Sequence, residues 1–185
     1  MKFELDHLSK GKQRNLKNMY NCMISLLKTK RFEDIQVKEF CELCLIPKAT
    51  FYNYFEDKYD LLDYCFDAVR FNIIGTYDST AHYDPQEMTM VMLKGIENNR
   101  DTLKMIIRFN PIGSEFYWRL DNYLSILYER IYSKFHMQQG GSSLDMNVLA
   151  RIGAHTFLTV LYWGIENNLP AEEIGKYLQE TAVAM

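Results

Sequence analysis

Residues 35–62 read IQVKEFCELCLIPKATFYNYFEDKYDLL, and the fold turns on this stretch. Val37, Phe40, Cys41 and Cys44 recur at helical spacing, which predicts a short helix over 37–44. Leu45-Ile46-Pro47 then breaks it, because proline lacks an N–H and pushes the residue before it out of the helical region. Proline is at ease in the first turn of a new helix, so a second short helix is predicted from Pro47 or Lys48 to Tyr54. Two short helices joined by a tight turn form a helix-turn-helix.

The second helix has two faces. Phe51 and Phe55, four residues apart, would anchor it to the core beside Phe40. Lys48, Ala49, Tyr52 and Asn53 would point the other way. Those side chains suit the major groove of DNA: Lys donates to guanine, Asn bridges the adenine edge, and Ala touches a thymine methyl. The hydroxyls of Thr50 and Tyr52, and the ammonium of Lys58, suit phosphate oxygens.

Outward from this stretch the chain reads as helices. Leu16, Met19, Tyr20, Met23, Leu26 and Leu27 predict one over 11–30, and RFEDI (31–35) is a connector anchored by Phe32 and Ile35. Asp57 is the expected cap of a long helix over 57–76, with Leu61, Leu62, Cys65, Phe66, Val69 and Ile73 inward. Residues 75–84 read as a loop. Further helices are predicted over 85–99, 101–109, 114–136, 144–167 and 171–184, separated by Asn98-Asn99, Asn110-Pro111, Gly140-Gly141 and Asn168-Leu169-Pro170. No strand alternation or internal repeat is visible. The expected fold class is all-α, with a three-helix head carrying the helix-turn-helix over 1–56 and a C-terminal bundle of about six helices over 57–185.

The bulk numbers agree. Only 4 Pro and 9 Gly in 185 residues leave long stretches free to be helical. A net charge of −3 would argue against a nucleic-acid binder if it were spread evenly, but it is not. Residues 1–31 carry Lys2, Lys10, Lys12, Arg14, Lys17, Lys28, Lys30 and Arg31 against Glu4 and Asp6, while the acidic excess lies beyond residue 62. Screening confines each field to roughly 8 Å at physiological salt, so a basic head can attract phosphate on an acidic body. A solvated, lysine-rich helix start is the alternative reading of the same residues.

Other classes find little support. Cys41 and Cys44 make a CxxC, but no second pair and no nearby histidines complete a zinc site, so no metal is expected. They read as two small core residues, with a redox pair as the alternative. No leader-like run opens the sequence, and the longest apolar stretch, near 157–165, falls short of the roughly 20 residues that cross a bilayer. A cytoplasmic protein with reduced thiols and no membrane partner is expected. No Ser-His-Asp arrangement, phosphate-binding glycine loop, HExxH or dinucleotide motif occurs, and Glu97, Glu115 and Glu166 lack paired spacing. Neither an enzyme nor a cofactor is expected.

The run KATFYNYFEDKYDLL, residues 48–62, resembles the signature of the TetR/AcrR family of transcriptional regulators. The resemblance rests on Ala49, Thr50, Phe51, Tyr52, Asn53, Tyr54, Phe55, Asp57, Lys58, Leu61 and Leu62, with Phe32, Ile35, Val37, Phe40 and Cys41 at the upstream apolar positions. It covers about residues 12–65. It implies DNA contacts from Lys48, Ala49, Thr50, Tyr52, Asn53 and Tyr54, and phosphate contacts from Gln36, Lys38 and Lys58. Two positions depart from the pattern. Leu45 stands where the family places glycine, in a left-handed conformation that costs Leu roughly 1 kcal/mol or more, so a turn of another shape is expected. Gln36 and Pro47 replace the usual Ser/Thr caps.

The resemblance further implies a homodimer on an inverted-repeat operator, built by the last two helices, and control by a small-molecule effector in the body. The expected interface residues are Ala150, Gly153, Ala154, Phe157, Leu161, Tyr162, Ile174, Tyr177 and Leu178. An internal bundle is the alternative. Met92, Met105, Phe109, Tyr117, Trp118 and Tyr123 are candidates to line an effector pocket, with Arg108, Arg119 or His155 orienting a polar group, or they are simply core. The expected function is a repressor. The competing reading is a dimer with a degenerate head that acts through a protein partner or as a coactivator, motivated by Leu45, Pro47 and the acidic pI of about 5.8.

Overall fold

The structure is a computed structural model that describes residues 9–74, 93–139 and 145–183. The head holds α1 (Lys10–Leu27), a single 3-10 turn (Phe32–Asp34), α2 (Val37–Leu43) and α3 (Lys48–Tyr52). The body holds α4 (Lys58–Ile74), α5 (93–98), α6 (Arg100–Phe109), α7 (Glu115–Gln139), α8 (Met146–Glu166) and α9 (Ala171–Val183). No strand occurs among the described residues, so the all-α expectation stands. The loop expected over 75–84, most of the helix expected over 85–99, and Gly140-Gly141 lie outside the described residues.

Caps start the helices where the sequence supplies them. The Ser9 hydroxyl accepts from Lys12 N–H, and the Asp145 carboxylate from Asn147 N–H. Asp57 Oδ1 accepts from both Tyr59 and Asp60 N–H at 2.9 Å, which satisfies two of the orphan donors at the start of α4.

Two apolar clusters form. Leu16, Met19, Met23, Phe32, Phe40, Phe51 and Phe55 centre the first, which continues past residue 56 to Leu61, Leu62, Cys65 and Phe66 and takes in Ile106 and Phe116. Each such side chain, fully buried, contributes roughly 1.5–3 kcal/mol of transfer free energy. Tyr117, Ala154, Leu158, Tyr162, Ile165 and Ile174 centre the second. Ile106 and Ile107, neighbours on α6, join different clusters, so α6 lies between them.

Polar rungs tie α4 to α7. Tyr59 Oη donates to Glu115, the Arg119 guanidinium spans both Asp63 oxygens, and Tyr123 Oη donates to Asp67 Oδ1 at 2.8 Å. Each step is four residues on both helices, one turn apiece, so the two helices run parallel in a single register.

By length and composition α8 is apolar enough to cross a membrane, but half of its apolar window is buried inside the chain. It packs on α7 and α9 as a core helix, which explains its composition without a bilayer.

Candidate nucleic-acid interface

The turn between α2 and α3 is a Schellman motif. Ile46 N–H donates to Cys41 C=O at 3.0 Å, and Leu45 N–H donates to Glu42 C=O at 3.2 Å. Leu45 takes the left-handed position at φ 55°, so the chain keeps the usual turn although it lacks glycine there. This corrects the expectation of another shape. The backbone bonds and a brace from α1, where Asn18 Nδ2 donates to Cys44 C=O at 3.0 Å, outweigh the local cost of a Cβ. The Leu45 side chain is 91% exposed, so it offsets none of that cost by packing.

Beyond the turn, Pro47 sits at the start of α3 with extended backbone and no side-chain cap, and Gln36 does the same for α2. Both uncapped starts agree with the sequence. Phe51 and Phe55 are fully buried, and Phe51 meets Phe40 edge-on at 5.6 Å. Buried on one face, the helix leaves Lys48, Ala49, Tyr52 and Asn53 exposed, with Thr50 half-buried beside them. Gln36 and Lys38, at the start of α2, are exposed as well.

Two of the expected contacts sit elsewhere. Tyr54 is only 7% exposed, and its hydroxyl accepts from Asn15 Nδ2 at 3.1 Å. Its place after Asn53 turns it back onto α1. Lys58 Nζ donates to Phe32 C=O and Glu33 C=O, both at 2.9 Å, and lies over the Phe32 ring at 4.7 Å. It holds the connector to α4, which takes up two of its three N–H donors.

No family model matches this sequence, and no curated protein matches it either. Solved structures do match in shape. A putative TetR-family transcriptional regulator from Syntrophomonas wolfei str. Goettingen superposes with a TM-score of 0.64 at 17% identity, over 92% of this chain and 93% of that one. The chain has the TetR fold. The dihydroxyacetone kinase operon activator DhaS shares it at TM-score 0.57 and 19% identity, over 92% and 94% of the two chains. A TetR transcriptional regulator from Rhodococcus sp. RHA1 does so at 0.55 and 13%, over 90% and 93%.

Within the TetR fold, the body residues named from sequence do not gather as expected. Met92 lies outside the described residues. Tyr117 is buried in the second cluster, whereas Trp118 is 55% exposed and stacks on the exposed His155. Adjacent in sequence, the two point apart because they lie roughly 100° apart around α7. Tyr123 faces α4, where its hydroxyl accepts from Arg70 Nε at 3.1 Å. Met105 and Arg108 are exposed on α6, and Phe109 is half-buried. Arg119 is committed to Asp63. A cleft of about 370 Å³ does open where α4 begins, lined by Glu56, Asp57, Tyr59, Asp60 and Arg119, and Arg119 is the one expected pocket residue that it contains.

The expected interface also needs correction. Ala150, Gly153, Ala154, Phe157, Leu161, Tyr162 and Ile174 are already buried within one chain. A Cβ on Gly153 would meet Tyr132 Oη at 2.7 Å and Tyr128 Cδ1 at 2.9 Å, so this small residue admits α7 of the same chain. Leu178 is half-buried against the second cluster. Only Tyr177 is substantially exposed, and it meets Trp163 edge-on at 5.3 Å. The apolar side chains left outside on α8 are Val148, Ile152 and Trp163, a stripe at helical spacing.

All four cysteines are buried and free, and no group of three or more potential metal ligands occurs among the described residues. Burial first, then the neighbouring Cys22 thiol, pushes the Cys44 thiol up. The CxxC therefore reads as core, and the redox alternative loses its chemical support.

Proposed function

We propose that this chain is a dimeric, DNA-binding transcriptional regulator, and by default a repressor that acts by occupying its operator. The observation that carries the reading is the α2–α3 turn. It is intact despite Leu45, and it presents Lys48, Ala49, Tyr52 and Asn53 on one exposed face of a helix whose other face is locked by Phe51 and Phe55. That is the arrangement a recognition helix needs. It also removes the main ground for a degenerate head. Tyr54 and Lys58 act in this reading as braces of the head, and Gln36, Lys38 and Thr50 remain the candidates for the DNA backbone.

The dimer would form through Val148, Ile152, Trp163 and Tyr177, the apolar face that α8 and α9 leave uncovered. A two-fold dimer predicts an inverted-repeat operator. Control by a small-molecule effector would act through α4, the helix that follows the head directly, because the rungs tie it to α7 and so to the rest of the body. A cytoplasmic location follows from this role.

Selection from a random double-stranded pool tests the proposal. Recovery of an inverted repeat, bound more tightly than random DNA and weakened at least tenfold by Lys48→Ala and by Tyr52→Ala, supports it. Enrichment of no sequence, or one indifferent to both changes, overturns it.

A further inference from the structure

Asn110 ends α6 where head, body and connector meet on one side chain. It is fully buried. Its Oδ1 accepts from Phe32 N–H at 2.8 Å, on the connector that follows α1. Its Nδ2 donates to Leu27 C=O at 3.2 Å, on the last turn of α1, and lies 3.4 Å from Lys30 C=O. The same amide reaches Ile106 C=O on α6 at 3.1 Å. Its backbone carbonyl accepts from Tyr162 Oη on α8 at 3.2 Å. One residue thus links α1, the connector, α6 and α8.

Hydrophobic packing cannot supply what these bonds supply. Apolar burial is non-directional, so the two clusters on either side of α6 would keep most of their stabilisation through a small rotation of the head. Hydrogen bonds weaken steeply when misaligned, and buried ones are costly to leave unmade. Asn110 cannot follow a rotated head without losing the Phe32 or Leu27 bond. The carbonyl side is fixed in turn by Tyr162, whose ring is packed edge-on against Tyr117 at 5.3 Å. The Lys58 ammonium grips the carbonyls of Phe32 and Glu33 from α4, so the connector is clamped from both sides.

We propose that Asn110 is the positioning residue that sets the angle of the head on the body, with Tyr162 as its support. The inference rests on the reading that the head binds DNA. In a two-fold dimer the angle of each head determines which separation of half-sites both can enter together. Asn110 touches no DNA itself. Its effect therefore belongs to half-site spacing and not to base preference.

The test uses the full-length protein and two readouts. In the first, the selected inverted repeat is lengthened and shortened by one and two base pairs, and a single half-site serves as control. Wild type is expected to lose at least tenfold in affinity at each altered spacing. Tyr162→Phe, which removes one hydroxyl and keeps the ring, is expected to reduce that penalty to under threefold, with half-site affinity unchanged within twofold. Asn110→Ala is expected to go further, and Tyr162→Phe decides the matter if Asn110→Ala does not fold. An unaltered spacing profile in folded Tyr162→Phe overturns the proposal.

The second readout needs no DNA. Spin labels are placed by Ala49→Cys and Glu172→Cys on the exposed head and body, and the native thiols, all buried, are left in place. The distribution of distances between labels within a chain is expected to broaden on Tyr162→Phe. A distribution as narrow as wild type refutes the positioning role even if no operator is ever found. A broadened distribution in a protein that selects no DNA supports it, and places the failure with the DNA-binding reading instead.

Discussion

The Arg119 guanidinium grips both carboxylate oxygens of Asp63, one bond from Nε at 2.8 Å and one from the terminal nitrogen. This paired contact is the middle rung between α4 and α7, with Tyr59–Glu115 on one side and Asp67–Tyr123 on the other. Both partners are somewhat over a third exposed, so solvent screens the pair. A double-mutant cycle with Asp63→Ala and Arg119→Ala is expected to give a coupling of about 0.5–1 kcal/mol, shrinking in high salt. A coupling that salt leaves untouched would contradict the screened geometry.

Leu45→Gly is expected to stabilise the protein. The residue sits at φ 55° with its side chain almost wholly exposed, so glycine removes strain and loses no packing. The greater freedom of glycine in the unfolded chain offsets part of the gain. The net effect should be about 0.5–1 kcal/mol, read as a rise in the urea midpoint without a change in slope. A lower midpoint would mean that the Leu45 side chain makes a stabilising contact.

Gly164→Ala should act in the opposite sense. An added Cβ would meet Ile174 Cγ1 at 2.5 Å, close to the backbone end of a fully buried side chain. Alanine gains helix propensity of roughly 1 kcal/mol, but overpacking costs about 1–3 kcal/mol. A net loss near 1 kcal/mol is expected, partly relieved in the double variant with Ile174→Val. Thermal unfolding of both variants beside wild type measures this.

On the proposed dimer face, Trp163→Glu and Ile152→Glu should yield a folded monomer. Both side chains are exposed in the single chain, so the charge costs little there but has no partner in an interface. Sedimentation of the two variants beside wild type distinguishes this face from the buried set. A dimer that survives both changes would place the interface elsewhere.

Alkaline pH should destabilise the chain through its buried phenols. Burial first, then the hydrogen bond to Asp67, pushes Tyr123 up to about 12, and burial pushes Tyr128 and Tyr162 up as well. A phenol with a raised folded pKa contributes stability that is complete below its unfolded value of about 10 and is lost as pH rises toward the folded value. Urea midpoints should therefore fall from about pH 10 upward. Tyr128→Phe should flatten that fall. A midpoint constant to pH 12 would show that these hydroxyls ionise without opening the fold.

The head was the most legible part of the sequence because its signals are local. Phe51 and Phe55 at one helical interval, Pro47 at a helix start and Asp57 as a cap each act within a few residues. Helix ends fell within a few residues of their expected places for the same reason. What sequence could not show depends on neighbours distant along the chain. Tyr54 turned inward because Asn15 stands opposite it, and Lys58 was captured by carbonyls 25 and 26 residues upstream. Asn110 read as a helix stop, with nothing local to mark its bonds to Leu27 and Phe32. Small residues on α8 suggested a close approach correctly, but periodicity does not say which chain approaches. Gly153 receives α7 of its own chain, and the larger Val148, Ile152 and Trp163 are left exposed.

The burial of every thiol gives the chain an internal clock. Cys22, Cys41 and Cys44 lie in the head and Cys65 on α4, and all four are shut away from solvent. A disulfide reagent in water can reach them only when that region opens, so their labelling rate reports the population of opened heads directly. No substitution or dye is needed. Operator DNA that engages the closed head should slow the clock, and a ligand that loosens it should make the clock run faster.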